Sequence, residues 1–177
     1  MKPLVIILMG SKADMEHCIK ISEACKGFGL ETVLRIGSAH KTPEHAVSIL
    51  KEYEADERPK VYITVAGRSN ALSGFTDGSV SAPVIACPPP SDAFGGADVF
   101  SSLRMPSGIG VAVVLEPVNA ALIAAHLALI ACHSKRMIAP KSMRAKRSIL
   151  RRDGQLTVGS ASASITMITS QRRFISA

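Results

Sequence analysis

The sequence has no tryptophan, only two tyrosines and five phenylalanines among its 177 residues. Single-stranded nucleic acid is commonly held by stacking bases on aromatic side chains, and such a platform is missing here. No apolar run reaches the roughly 18 residues that a membrane-spanning helix needs. The four cysteines, Cys18, Cys25, Cys87 and Cys132, form no CxxC pair and have no Cys/His spacing suited to zinc. They read as buried, reduced thiols of a cytoplasmic protein. Neither a GxGxxG fingerprint nor a P-loop occurs. Acidic residues are almost absent from the last quarter: residues 133–177 hold ten Lys/Arg against Asp153 alone, whereas residues 1–132 hold eleven Lys/Arg and thirteen Asp/Glu. The formal charge of +7 therefore belongs to the tail, which reads as a solvated helix or arm rather than a nucleic-acid grip.

What is present is a domain-sized chain with 47% apolar residues, enough for a substantial core. Pro3–Met9 (PLVIILM) is a continuous apolar run closed by Gly10-Ser11. It fits a strand covered on both faces better than it fits a signal peptide, because no small-residue cleavage site follows. Apolar positions recur at helical spacing from Asp14 to Lys26. Further strands are expected at Glu31–Ile36, Val61–Ala66, Ala82–Cys87 and Ile109–Leu115. A helix capped at Thr42 begins with Pro43, and an Ala-rich helix runs from Pro117 to about Ile130. Short apolar strands alternating with helices specify a three-layer α/β/α sandwich, flavodoxin-like or Rossmann-like, around a parallel sheet of about five strands. Residues 1–131 form the expected α/β domain. Residues 132–177 form a basic C-terminal extension, with a helix over 141–152 and a weakly ordered, Ser/Thr-rich end.

In open parallel sheets, ligands bind beyond the carboxyl ends of the strands. Three such ends carry chemistry-bearing residues. At the first, Gly10-Ser11-Lys12-Ala13-Asp14 offers backbone N–H groups, a hydroxyl and a carboxylate suited to sugar hydroxyls; a plain capping role for Ser11 or Asp14 accounts for the same residues. At the second, Ser38-Ala39-His40-Lys41 places an imidazole, able to take and return a proton, beside a cation for phosphate or carboxylate. At the third, Gly67 permits close backbone approach while Ser69 and Asn70 offer neutral donors; a turn with a helix cap would explain Ser69 alone. His17, His45, His126 and His133 fall in or beside predicted helices and read as structural.

The segments GSKAD, GSAHKTPEH, AGRSNALSGF, CPPPSDAFGGADVFSSLRMPSG and VLEPVNAAL occur in this order over residues 2 to about 131. Together they resemble the phosphoribosylaminoimidazole carboxylase family of purine biosynthesis. Within it, Lys41 after His40 and the Gly67-Arg68-Ser69-Asn70 loop are similar to the class II branch, which carboxylates aminoimidazole ribonucleotide (AIR) directly with CO2. The class I branch, a mutase of the N5-carboxy compound, is expected to read SAHRTP and AGGAAHLPGM instead. The resemblance implies that His40 carries the proton and that Ser11 and Asp14 bind phosphate and ribose. It also implies that Ser38 and Lys41 complete the phosphate and carboxylate side, while Gly67 and Ser69 line the aminoimidazole and CO2 pocket. It implies that residues 1–131 are the catalytic domain, that no metal, biotin or other cofactor is used, and that the chain forms a homo-octamer with sites between subunits and with residues 132–177 packing on neighbours; the basic tail departs from the family pattern. Two other readings remain: the mutase, and a non-catalytic nucleotide-binding module whose tail engages nucleic acid.

Overall fold

The computed structural model describes residues 2–137; the helix expected over 141–152 and the rest of the basic tail lie outside them. Five parallel strands form one sheet: β1 (Leu4–Met9), β2 (Glu31–Ile36), β3 (Lys60–Val65), β4 (Val84–Ala86) and β5 (Ala112–Val113), in the order β2-β1-β3-β4-β5. The helices are α1 (Met15–Gly27), α2 (Pro43–Glu54), α3 (Ala71–Asp77), α4 (Phe100–Leu103) and α5 (Pro117–Met137). This is the α/β flavodoxin-like architecture that the alternation of strands and helices predicts.

Successive strand residues face opposite sides of a sheet, and the core divides accordingly. Val5, Ile7 and Met9 of β1, with Val61, Ile63 and Val65 of β3, pack against Cys18, Ile21 and Cys25 of α1 and the alanines of α5. Leu4, Ile6 and Leu8, with Tyr62, pack against Ile49 and Leu50 of α2 and Leu72 of α3. Both faces of β1 are thus covered, which is why its six residues are all buried and why its sequence is uniformly apolar rather than alternating. In α5, Ala120, Ala121, Ala124, Ala125 and Ala128 are buried; their small side chains let the helix lie close to its neighbours.

The differences from the sequence expectation are local. β4 and β5 pair over three and two residues, inside longer apolar runs that continue without a ladder. α3 fills what reads as an irregular loop, and α5 continues to Met137. Thr42 precedes α2 but its side chain does not cap it. Its hydroxyl instead accepts from the Ser38 N–H at 3.2 Å, closing the turn that bears His40.

Candidate active site

The carboxyl ends of β2, β1 and β3 lie side by side and at one level. Met9 is in register with Ile36 on one side and Val65 on the other. The ladder runs one step further: the Gly37 N–H donates to the Met9 carbonyl and the Gly10 N–H to the Val65 carbonyl, both at 2.9 Å. With neighbouring strands about 4.8 Å apart, the three loops leave the sheet within roughly 10 Å of one another. The close approach is visible at Gly10, where an added Cβ would lie 3.6 Å from that of Ala66.

The middle loop leads through Ser11 into a short 3-10 turn, Lys12–Asp14. Of the two capping candidates, Ser11 takes the role: its Oγ accepts from the Ala13 N–H at 3.2 Å, while the Asp14 side chain caps nothing. The Asp14 carboxylate is half-buried, and burial raises its pKa above the ordinary value, opposed by the Ser11 backbone and by His17. It is a carboxylate with oxygens to offer a ligand, held where water alone solvates it poorly.

The loop after β2 is tied by its own backbone. The Lys41 N–H donates to Ser38 Oγ at 3.2 Å, and the Thr42 N–H to the Ser38 carbonyl at 3.0 Å. This tight turn leaves the His40 and Lys41 side chains exposed at its tip, and the imidazole has no hydrogen-bond partner among the described residues.

The loop after β3 contains Arg68 in the left-handed region, at φ 57°, where non-glycine residues are uncommon. Gly67 is half-exposed and Ser69 exposed. Asn70 differs from expectation. It is buried, at 2% exposure, and its amide is spent internally: Oδ1 accepts from the Ser73 N–H and Nδ2 donates to Ser102 Oγ. It is therefore the cap of α3, so the helix cap that was the alternative explanation of Ser69 falls one residue later, and Asn70 is not a free donor.

Beside this loop opens a cavity of about 480 Å³. Of the seven expected site residues only Gly67 lines it; Arg68, Pro89, Asp98, Glu116 and His17 supply other parts of its wall. The remaining six stand on the shelf formed by the ends of β1 and β2 and by the Ser69 turn. His17, read from sequence as structural, is thus a wall residue. Its Nε2 lies 3.4 Å from Cys87 Sγ, and burial lowers its pKa, against the opposing influence of the Cys87 backbone; the imidazole is held toward its neutral form. Its position one turn beyond Asp14 was the available signal. Among the described residues no group of three or more His, Cys, Asp or Glu side chains is arranged to hold a metal ion, and no helix is long and apolar enough to cross a membrane.

The family model for AIR carboxylase matches residues 4–148, spanning all three loops. The chain belongs to the AIR carboxylase family. It is 69% identical over 127 residues to the phosphoribosylaminoimidazole carboxylase of Treponema denticola, an alignment covering 72% of this chain and 80% of that one. The corresponding enzyme of Archaeoglobus fulgidus is 57% identical over 122 residues, covering 69% and 67%. The mouse bifunctional phosphoribosylaminoimidazole carboxylase/phosphoribosylaminoimidazole succinocarboxamide synthetase is 48% identical over 123 residues, covering 70% of this chain but 29% of that longer protein. A crystal structure of Treponema denticola PurE superimposes with a TM-score of 0.69 at 56% identity, covering 85% of this chain and all of the other. The AIR carboxylase family places the chain among the enzymes of purine biosynthesis, and the shared fold accounts for the three-loop edge.

Proposed function

We propose that this member of the family carboxylates AIR at C4 with CO2 directly, the class II reaction. The observation that supports the reading is the level register of β2, β1 and β3, which sets the loops bearing His40, Asp14 and Gly67 along one sheet edge. Ser11 and Asp14 hold phosphate and ribose; Ser38 and Lys41 complete the anionic side; Gly67 and Ser69 face the aminoimidazole and CO2. AIR is an electron-rich enamine. Its C4 attacks the carbon of CO2, and one C=O π pair moves onto oxygen to make the carboxylate. The adduct then loses the C4 proton to the His40 imidazole, which restores the aromatic ring. In reverse, imidazolium returns that proton to C4 and CO2 leaves. The residues named supply all the groups these steps use. CO2 is small and uncharged, so placing it against C4 accounts for most of the rate gain asked of the protein.

Lys41 in place of arginine and Gly67-Arg68-Ser69-Asn70 in place of the class I loop favour this reading over the mutase. The proposal extends to a cytoplasmic homo-octamer with sites completed by neighbouring subunits. Support comes from Phe94, Phe100 and Leu103, exposed at 88%, 66% and 56%, and from an apolar stripe on α5 that includes Val118, Leu122 and Leu129. The deciding assay follows the purified enzyme with AIR plus bicarbonate, and separately with the N5-carboxy compound. The C4-carboxylated product formed from AIR and bicarbonate without ATP establishes the carboxylase; turnover of the N5-carboxy compound alone establishes the mutase.

A further inference from the structure

We propose that Ser101 and Ser102, on α4, are positioning residues that fix the Gly67–Asn70 loop for catalysis, an inference that rests on the carboxylase reading. The two serines stand some thirty residues along the chain from the loop they hold. The Ser101 hydroxyl accepts from the Asn70 N–H at 3.0 Å and lies 3.1 Å from the Arg68 carbonyl. One side chain thereby meets the backbone on both sides of Ser69. Its single proton is shared between the Arg68 carbonyl and the nearer Asp98 carbonyl at 2.7 Å, so the firm half of the grip is the bond accepted from the Asn70 N–H. Ser102, 1% exposed, accepts from Asn70 Nδ2 at 2.8 Å. Asn70 in turn organises the first turn of α3, receiving the Ser73 N–H on Oδ1 and the Ser73 hydroxyl on its carbonyl.

The clamp has something to hold. Arg68 sits at φ 57°, a conformation that persists in a non-glycine residue only when the surroundings impose it. The segment that supplies the clamp is itself braced, since Ser91 Oγ donates to Asp98 Oδ2 at 2.9 Å. Ser91 and Asp98 also line the cavity, together with Gly67 and Arg68. The clamp therefore joins the cavity wall to the loop that faces the reacting base. Neither serine touches substrate; both act through Arg68 and Asn70, the residues on either side of Ser69.

The test compares the full-length enzyme with Ser101→Ala and Ser101→Thr. Ser101 is exposed, so its alanine variant remains folded, and threonine keeps the hydroxyl. Phosphate and ribose are held by other loops. The expected result for Ser101→Ala is a fall in kcat of about fivefold or more, with KM for AIR within about twofold. Ser101→Thr restores kcat to within about twofold of the parent. Amide exchange read by NMR provides a signal independent of activity: the Asn70 amide loses protection in the alanine variant and keeps it in the threonine variant. Unchanged protection, or lost protection with unchanged kcat, overturns the proposal. So does an equal loss in both variants. A parent enzyme that does not carboxylate AIR refutes the carboxylase reading instead, and the clamp is then judged on the exchange data alone.

Discussion

Gly37 stands so close to Ala46 that an added Cβ would lie 3.3 Å from the Ala46 Cα, with Leu8 Cδ1 at 3.3 Å and Ile49 Cδ1 at 3.2 Å. The glycine is the point where β2 gives way to the His40 turn, beneath the first turns of α2. Two effects oppose each other in Gly37→Ala. Restricting the unfolded chain stabilises by about 0.4–1 kcal/mol, while overpacking a well-filled site costs about 1–3 kcal/mol. Because one of the crowded atoms is backbone, overpacking wins. Urea denaturation should show net destabilisation of about 1–2 kcal/mol, with activity reduced further because the His40 turn is displaced. A variant as stable as the parent would mean that α2 moves away freely.

Asp14 should display a conflict between binding and stability. Burial raises its carboxyl pKa above 3.8, so over the window from 3.8 up to the raised value the native state keeps a proton that the unfolded state has released. Stability then falls as pH rises through that window and stays lower above it. Asp14→Asn removes the penalty. Thermal unfolding should find the variant at least as stable as the parent at pH 7, with the advantage gone below about pH 4. AIR binding by calorimetry should be weakened in the same variant. A variant less stable at pH 7, with an unchanged pH slope, would show that the carboxylate is needed by the fold.

The buried thiols should be inert in the native protein. Burial pushes Cys18 and Cys87 up to about 12 and Cys25 up to about 11, so fewer than about one thiol in a thousand is ionised at pH 7.5. All three side chains are also enclosed. Iodoacetamide at pH 7.5 followed by peptide mass spectrometry should leave Cys18, Cys25 and Cys87 unmodified until denaturant is added. Native labelling of Cys87 would show that the His17 side of the cavity opens to solvent.

The first three strands were legible because each is a six-residue segment bounded by glycine, proline or polar turns, and β2 matches its expected bounds of Glu31–Ile36. β4 and β5 were overextended because apolar runs mark burial, whereas a strand also needs a partner; after Ala86 and Val113 the ladder dwindles to single bonds such as Cys87 N–H to the Thr64 carbonyl. α3 was hidden in ALSGFTD, only seven residues with a glycine inside. That Gly74 is explained by distant chain: a Cβ there would come within 3.0 Å of Met105 Sδ. The three loops of the candidate site were readable as glycine-punctuated strand ends. The burial of Asn70, the wall position of His17 and the Ser101–Asn70 bond were not, since each depends on contacts 31 to 70 residues away, and no local pattern encodes such pairs.

The proposed mechanism separates His40 from Lys41 although they are adjacent at the tip of one turn. The imidazole acts on the C4 proton, a task that exists only after the carbon–carbon bond has formed. The ammonium acts on the anionic side of AIR, which is present from the first encounter. His40→Asn should therefore lower kcat by at least about a hundredfold, the usual scale of a lost general base, while AIR still binds within a few-fold of the parent by calorimetry. Lys41→Ala should show the reverse pattern: KM for AIR rises by about tenfold or more, the worth of a partly exposed charged contact, and kcat at saturation changes little. Both side chains are exposed, so neither variant should shift the melting temperature by more than a few degrees. If His40→Asn turned over like the parent, the proton would have to leave by another route, and the neutral imidazole of His17 in the adjoining cavity would be the next residue to substitute.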